Sequence, residues 1–373
     1  MARLEQITLR EIRLPLREPF RISSGVVTER RIPLLELRDA DGITAWSECV
    51  ALELPNYSAE AIDTAWYAIC EWVAPRIIGR DFAHPSEVSV ALDEDFRGNW
   101  MAKAAVEMGM WVLEATRDRV PLATLLGGTR TEIATGISLG IQSSPEALVD
   151  RARSALAEGY RKIKIKIGPG KDVEYVRAVR EALGPDAPLM ADANNAYQLA
   201  DAENLAKLDD LKLMMIEQPL AWDDIVQHAS LQKQLKTPLC LDESITSLDR
   251  ARDMVTLDAG RIINIKPGRV GGFASSLAIH DYCQSNDIPV WCGGMLESGI
   301  GRACNVALAS LPGFTKPGDL SPSARYWERD VVTPEWTMSA DGMVRVPLDR
   351  PGLGVDVDVD RIDNLTVRTV VLR

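Results

Sequence analysis

Histidine is scarce in this chain of 373 residues, which contains only His84, His228 and His280. None of the three ends a strand-like apolar run, and the last two fall within helix-like segments. The chain therefore has few residues with which to build a catalytic triad, a histidine-ligated zinc site or a histidine–aspartate general base. We expect all three histidines to be structural or surface residues.

Cysteine pairs and long apolar runs are also missing. The six cysteines form no Cys-x-x-Cys motif and lie inside apolar segments, so we expect buried, reduced thiols rather than disulfides. No run of 18 apolar residues occurs, and the first six residues lack the apolar stretch of a signal peptide. The sequence therefore predicts a cytoplasmic protein without a membrane span.

Basic charge is in deficit, with 42 Lys and Arg against 54 Asp and Glu, which gives a formal net charge of −12. An acidic chain with no basic block is a poor candidate for binding nucleic acids or anionic membranes. Small-molecule chemistry is the better prediction, and 46% hydrophobic residues allow a large core. The expected partners are a small-molecule substrate and further copies of the chain in a homo-oligomer, with no nucleic acid and no membrane.

The segment Lys162–Ile167 alternates lysine with isoleucine, the pattern of a strand with one charged and one apolar face. By itself the pattern is typical of an ordinary half-buried strand whose lysines point to water. However, apolar runs ending in Asp192, Glu217, Asp242 and Lys266 follow it at intervals of 24 to 26 residues. An ionisable residue at the end of each run indicates a βα unit repeated in register.

The strand–helix rhythm begins near residue 133 and predicts seven strands, with a weak eighth near Gly318–Leu320. Seven or eight mostly apolar strands alternating with helices favour a closed parallel barrel of the α/β class. A doubly wound sheet is the alternative, but Ser138–Ile141 after the first strand is not a glycine-rich phosphate turn. Ser144 and Pro145 are suited to begin a helix that Gly159 ends.

The segments on either side of this rhythm have a different, α+β character. The first 50 residues contain strand-like alternation, and helical periodicity follows at 58–79 and 86–120. The loop through Pro55–Ser58 is either an ordinary connection or one that covers a substrate. Strand-like residues return after 325, so we predict a capping domain at 1–128, a barrel at 129–325 and a returning segment at 326–373.

In such a barrel the active site lies at the carboxyl ends of the strands, so Asp192, Glu217 and Asp242 are expected to converge. Any one of them alone is more typical of a helix N-cap or a surface charge. Three carboxylates so close to one another cannot all stay ionised without a cation. Because no histidine or cysteine is available beside them, we predict a hard divalent ion, Mg²⁺ or Mn²⁺.

Lysines flank the predicted metal site on both sides. Lys164 and Lys166 share the inward face of the second strand, and Lys266 ends the sixth. We expect a divalent ion and neighbouring cations to lower a lysine pKa, so that Lys166 and Lys266 act as an acid/base pair. A substrate that suits them is a carboxylate with a weakly acidic α-proton, which could be racemised or could lose a β-leaving group. The glycine-rich segment Gly293–Gly301 is interpreted as a wall for the far end of the substrate.

At these residues the chain resembles the enolase superfamily, specifically its muconate-lactonising-type subgroup, over essentially its whole length. The motifs that carry the resemblance are Lys164-Ile165-Lys166, Asp192-Ala193-Asn194, Glu217-Gln218-Pro219, Asp242-Glu243 and Lys266–Gly272. Within the subgroup, Gly293–Ala303 and Pro317-Gly318-Asp319 resemble the o-succinylbenzoate synthase/N-succinyl- or N-acylamino-acid racemase family.

The resemblance implies a (β/α)7β TIM-type barrel with a capping domain built from both termini. It also implies magnesium ligands Asp192, Glu217 and Asp242, and an acid/base pair of Lys166 and Lys266. By the same match the substrate-binding residues are Lys164, Asn194, Ser138, Gly294 and Met295, with Asn194 also supporting the metal site. The implied activity is dehydration of 2-succinyl-6-hydroxy-2,4-cyclohexadiene-1-carboxylate to o-succinylbenzoate in menaquinone synthesis, racemisation of N-succinylamino acids, or both.

Other functions stay open at the level of sequence. Dipeptide epimerase or muconate-type cycloisomerase activity is possible within the same superfamily. A metal-free Schiff-base aldolase would use a barrel lysine but leaves three convergent carboxylates unexplained. A non-catalytic binding barrel predicts no proton exchange and little effect of an Asp242→Asn change.

Overall fold

The structure, a computed structural model, describes residues 2–22 and 25–373. Its first part is an antiparallel sheet followed by helices, and the alternating sequence buries Ile7, Leu9, Ile12 and Leu14 beneath that sheet. The helix α4 (Trp100–Arg117) is rich in small and apolar residues, and most of these are buried in the core. The elements of this part are β1 (Ala2–Ile22), β2 (Gly25–Asp39), β3 (Thr44–Glu48), α1 (Ile62–Ala68), a π-helical segment (Ile69–Val73), α2 (Ala74–Ile77), β4 (Asp81–Phe82), α3 (Ser86–Asp93), α4 (Trp100–Arg117), α5 (Leu122–Leu125) and β5 (Glu132–Ala134).

The middle of the chain is a barrel of parallel strands that pair in chain order. Its elements are β6 (Ile137–Leu139), α6 (Pro145–Ala157), β7 (Ile163–Lys166), α7 (Val173–Leu183), β8 (Leu189–Asp192), α8 (Ala202–Ala206), β9 (Ile216–Glu217), α9 (Val226–Gln232), β10 (Leu239–Leu241), α10 (Leu248–Leu257), β11 (Ile262–Ile265), α11 (Phe273–Ser285), β12 (Val290–Cys292) and α12 (Gly299–Ala309). Single-turn helical segments precede and follow α8, at Leu199–Asp201 and Asp209–Leu211.

The barrel closes through the segment around Gly318, where the sequence predicts a weak eighth strand. Gly136 donates a backbone hydrogen bond to Gly318 at 2.7 Å, and Asp319 donates one to Cys292 at 2.9 Å. This segment therefore joins β12 to the residues just before β6, but through single bridges rather than a continuous strand. The predicted α/β barrel is confirmed, and the doubly wound alternative is wrong.

The last part of the chain returns to the first sheet. Its elements are a single-turn helix (Ser323–Arg325), β13 (Val332–Thr333), β14 (Met343–Arg345), β15 (Asp356–Val357), α13 (Val359–Leu365) and β16 (Thr366–Leu372). β16 pairs antiparallel with β1, and the sheet order is β16-β1-β2-β3. β14 pairs with β5, just ahead of the barrel. The domain boundaries at 128/129 and 325/326 stay a prediction.

Local signals in the sequence explain how β7 is placed. Ser144 accepts a hydrogen bond from the backbone of Ala147 and begins α6, and Asp172 caps α7. Ile163, Ile165 and Ile167 pack outward in one core with the apolar stripes of these two helices. The lysines between them must therefore point into the barrel, as the sequence predicts.

Histidines and cysteines have the structural roles expected from the sequence. The Nε2 atom of His228 accepts the backbone N–H of Leu220, that of His280 accepts the backbone N–H of Gly313, and His84 is exposed. All six cysteines are free thiols, and five of them are buried as predicted, whereas Cys70 is only partly buried. No helix in the described ranges is both long and apolar enough to cross a membrane.

Glu48, at the end of β3, connects the first sheet to the barrel. Its carboxylate accepts the backbone N–H groups of Ser298 and Gly301, both at 3.1 Å, and the Ser298 hydroxyl at 2.6 Å. N–H groups in the first turn of a helix have no partner within that helix. Glu48 therefore supplies from another element the acceptor that the start of α12 needs.

Replacing Glu48 with alanine is expected to lower the free energy of unfolding by about 1–3 kcal/mol, because buried N–H groups lose their acceptor. Glu48→Gln keeps an acceptor oxygen and should cost less. Burial raises the pKa of Glu48 from 4.5 to about 8, so its contribution to stability is complete below pH 4.5 and falls as the pH rises through 8. Urea unfolding should therefore show a larger loss between pH 5 and 8 for the unsubstituted protein than for Glu48→Gln. An alanine variant of unchanged stability would contradict this role.

Candidate active site

Three buried carboxylates lie at the carboxyl ends of neighbouring barrel strands. Asp192 ends β8 and Glu217 ends β9, and these two residues are paired in register. Asp242 directly follows β10, and each of the three is at most 1% exposed. The side-chain oxygen of Gln218 accepts the backbone N–H of Asp242 at 2.9 Å. The turn after β9 therefore also positions the third carboxylate.

Lysines flank this row of carboxylates. Lys164 Nζ lies 3.3 Å from Asp192 Oδ2 and 3.2 Å from Glu217 Oε2. Lys166 Nζ lies 2.6 Å from Asp192 Oδ2. At the other end of the row, Lys266 Nζ lies 2.7 Å from Asp242 Oδ2. The structure thus gathers the six residues to which the sequence assigns metal binding, acid/base chemistry and the substrate carboxylate, while those roles stay predictions.

The charges in the cluster are unevenly balanced. Burial and the neighbouring Asp192 raise the pKa of Glu217 to about 7. Burial would also raise the pKa of Asp192, but Lys166 and Lys164 lower it overall. Glu217 is therefore the carboxylate whose negative charge the protein's own cations neutralise least.

Lys266 pairs directly with the carboxylate of Asp242. Burial would lower the pKa of Lys266, but Asp242 raises it above its ordinary value. The predicted lowering depends on a bound divalent ion as well as on neighbouring cations, and it stays a prediction. A cation bound to Asp242 would compete with Lys266 for that carboxylate.

The chemistry of the donor set determines which ion the cluster suits. Within residues 2–22 and 25–373, no three acidic, histidine or cysteine side chains are spaced to hold a metal ion as they lie. Lysine ammonium groups instead contact Asp192, Glu217 and Asp242. Carboxylate oxygens are the ligands that Mg²⁺ and Mn²⁺ prefer, and the raised pKa of Glu217 indicates negative charge that a cation would balance. These three residues therefore fit a hard divalent ion that displaces the lysines from them.

The predicted substrate-binding residues surround the same cluster. Asn194 accepts a hydrogen bond from Lys166 Nζ at 2.5 Å and donates one to Glu243 at 3.2 Å. Ser138 is in register with Lys164, and in the described part of the chain its buried hydroxyl has no hydrogen-bond partner.

The remaining two predicted substrate-binding residues, Gly294 and Met295, lie in the loop after β12. A Cβ atom at Gly294 would lie 2.8 Å from the Asp319 carbonyl oxygen, so this position leaves no room for a side chain. Met295 is buried, and its backbone N–H donates to Glu297 at 2.7 Å. The loop is therefore firmly held, and the substrate-binding roles of both residues stay predictions.

Three further residues contact the cluster and were not assigned from sequence. The Tyr57 hydroxyl donates to Asp242 Oδ1 at 3.0 Å and accepts from Lys266 at 3.1 Å. Arg269 also pairs with Asp242, and Asn264 donates to Glu217 Oε1 at 2.7 Å. Asn264 precedes Lys266 by two positions on the inward face of β11, a signal that strand alternation could have revealed.

Comparison with known proteins agrees with this architecture. A family described as "Mandelate racemase / muconate lactonizing enzyme, N-terminal domain" matches residues 5–127, and one described as "Enolase C-terminal domain-like" matches residues 147–361. The chain is 49% identical to a protein of Geobacillus kaustophilus named o-succinylbenzoate synthase, over 97% of this chain and 96% of that protein. It is 47% identical to a protein of Thermus thermophilus named N-succinylamino acid racemase, over 98% of both chains.

A solved structure from Listeria innocua, described as a member of the enolase superfamily, superimposes with a TM-score of 0.96 at 39% identity. The match covers 100% of this chain and 99% of that one. Both domain families, the full-length relatives and the fold thus agree. The chain belongs to the mandelate racemase/muconate lactonizing enzyme family of the enolase superfamily.

Proposed function

We propose that this protein is a divalent-metal-dependent enzyme that removes the α-proton of a carboxylate substrate. The observation that carries the proposal is the row of buried carboxylates flanked by Lys166 on one side and Lys266 on the other. The row gives a place for a cation, and the lysines give two proton carriers on different strands. The cation we propose is Mg²⁺, with Mn²⁺ as the alternative.

Asp192, Glu217 and Asp242 would hold the cation. When bound, it would stabilise the negative charge that develops on the substrate carboxylate as the α-proton leaves. Lys164 would lie beside the same carboxylate and add a positive charge. Asn264 holds one oxygen of Glu217, and Gln218 holds the backbone of Asp242. These contacts would limit how far the ligands move when the cation binds.

Lys166 and Lys266 would move the proton. In racemisation, one amine takes the α-proton while the C–H electron pair moves into the carboxylate. The other lysine, as an ammonium, then donates a proton to the opposite face of the same carbon. In dehydration, the same first step is followed by loss of the β-hydroxyl group. The electron pair held in the carboxylate returns to form the new C=C bond, the C–O electron pair leaves with the oxygen, and a lysine ammonium donates the proton that completes water.

The substrates we propose are those in the names of the relatives at 47–49% identity. These are the cyclohexadiene acid that is dehydrated to o-succinylbenzoate, and N-succinylamino acids that are racemised. Both are carboxylates with an activated α-proton, so one site can serve both reactions. The expected homo-oligomer stays a prediction.

The Schiff-base aldolase is less well supported. It would use a lysine as the nucleophile toward a carbonyl carbon and would need no metal. The buried row of Asp192, Glu217 and Asp242 would then have no role. A simple binding barrel would not need two proton carriers on opposite ends of the carboxylate row.

Side-by-side measurement of kcat/KM on the cyclohexadiene acid and on a panel of N-succinylamino acids tests the proposal. We expect turnover of both substrate types with Mg²⁺ and no turnover after treatment with EDTA. A dipeptide and a muconate in the same panel test the other activities of the superfamily. Turnover that persists without divalent metal would contradict the proposal, and activity confined to the dipeptide would replace the substrate assignment.

A further inference from the structure

Asp319 lies in the segment that closes the barrel, outside the row of carboxylates already described. Its two carboxylate oxygens face two different lysines: Oδ2 lies 2.5 Å from Lys164 Nζ, and Oδ1 lies 3.0 Å from Lys162 Nζ. The Asp319 backbone is fixed as well, because Arg302 donates to its carbonyl oxygen at 2.8 Å and its own N–H donates to Cys292. Asp319 is therefore a rigid bridge between two cations.

Lys162 is the buried end of this bridge. Its side chain is fully buried, and its Nζ atom lies 3.4 Å from the centre of the Trp291 ring. Trp291 is held in turn by a hydrogen bond from its ring N–H to the sulfur of Cys240. A cation over an aromatic face and against a carboxylate is stabilised from both sides. Lys162 thus contacts Asp319 from inside the barrel and does not reach the carboxyl ends of the strands.

Lys164 has three carboxylate neighbours, Asp192, Glu217 and Asp319. Lys164 donates a hydrogen bond to Glu217 and forms ion pairs with Asp192 and Asp319, so these three neighbours together set the direction of its ammonium group. Two of the three are the proposed metal ligands, whose oxygens a bound cation would engage. Of these three neighbours, Asp319 alone is left to hold Lys164 in place during the reaction.

Resting on the proposed function, we propose that Asp319 is a positioning residue that fixes the Lys164 ammonium against the substrate carboxylate, with Lys162 and Trp291 as its support. A purely structural bridge would make the same contacts but would affect stability without a specific effect on Lys164. The two possibilities differ in how the effects of substitutions at Asp319 and Lys164 combine.

The test is a double-mutant cycle in kcat/KM with the Mg²⁺-loaded enzyme, on the cyclohexadiene acid and an N-succinylamino acid. In the native background, Asp319→Asn is expected to reduce kcat/KM by about 10- to 100-fold, because small displacements of a positioned group cost that much. In a Lys164→Met background, the same change should alter kcat/KM less than about twofold, because coupled residues are not additive. Losses that multiply in the double variant, or a folded Asp319→Asn enzyme with native kinetics, would overturn the inference.

A matched control is Asp172→Asn, another buried aspartate, which accepts hydrogen bonds from Tyr197 and Asn204 and caps α7. We expect it to lower stability but to keep native kcat/KM. Asp319→Asn would leave the buried Lys162 without its carboxylate partner, and the variant can fail to fold for that reason alone. In that case the double variant Lys162→Met/Asp319→Asn removes both partners and avoids an unpaired buried charge. It should show the same loss of kcat/KM. If the native enzyme turns over neither substrate, the proposed function itself fails and this inference fails with it. A native enzyme that is active and indifferent to both Asp319 variants would overturn the inference alone.

Discussion

In D₂O, the Lys266→Ala variant is expected to exchange the α-proton of only one enantiomer of an N-succinylamino acid. Lys166→Ala should exchange the α-proton of the opposite enantiomer. Each lysine serves one face of the substrate carbon in the proposed mechanism, so removing one leaves the other able to take a proton from its own side. Racemisation needs both lysines, and general acid–base groups contribute about 10²–10⁴-fold, so each variant should lose at least that much racemase activity.

Folding should survive the Lys266 change, because Asp242 keeps Arg269 and Tyr57 as partners. Mass spectrometry of the recovered enantiomers measures exchange, and optical rotation measures racemisation. The control is Lys233→Ala, which removes an exposed lysine at the end of α9 and should leave both measurements unchanged. Full racemisation by Lys266→Ala, or exchange of the same enantiomer by both lysine variants, would disprove the two-lysine mechanism. Loss of racemisation alone would not exclude dehydration.

The second large effect is expected for Glu217→Gln, which replaces a proposed ligand with an amide of the same shape. Stabilisation of developing charge by a metal accounts for several kcal/mol, so we expect kcat/KM to fall by about 10³-fold or more. A ligand that binds only the folded state adds about 2.7 kcal/mol of stability at 100 times its Kd. Thermal unfolding of the unsubstituted protein should therefore shift upward with added Mg²⁺, and Glu217→Gln should lose that shift.

Glu107→Gln is a matched control for this second measurement. Glu107 is also fully buried, but it accepts the backbone N–H groups of Phe273 and Ala274 at the start of α11. Its variant should unfold at a lower temperature yet keep the full Mg²⁺-dependent shift. The metal assignment would be wrong if Glu217→Gln kept the Mg²⁺-dependent rise in unfolding temperature. It would also be wrong if Ca²⁺ and Mg²⁺ stabilised Glu217→Gln and Glu107→Gln equally.

Much of this arrangement follows from simple periodicity in the sequence. Strand alternation places Lys164 and Lys166 on the face opposite the isoleucines, and the helices on either side of β7 can only pack on the isoleucine face. The spacing of 24 to 26 residues then brings Asp192, Glu217 and Asp242 to one end of the barrel. Period and register therefore predict both the fold and the main cluster, because they are properties of neighbouring elements.

The remaining contacts depend on distances that periodicity does not contain. Tyr57 reaches Asp242 across 185 residues of sequence, from a loop whose course depends on how the first domain packs on the barrel. Lys162 lies just outside the predicted inward pair, and its partner Asp319 comes from a segment without regular strand pairing. The raised pKa of Lys266 likewise depends on a direct contact with Asp242 rather than on its place in the strand.

The pairing of β16 with β1 has a consequence for the order in which the chain can fold during synthesis. Arg373 contacts Gln6 across 367 residues, so one edge of the first sheet is completed only after the chain as far as β16 has left the ribosome. Until then, β1 keeps an unpaired edge, while the barrel between the two strands can form from contacts of neighbouring units. The nascent protein therefore depends on β16, a strand of seven residues that is synthesised long after β1, to cover the edge of β1.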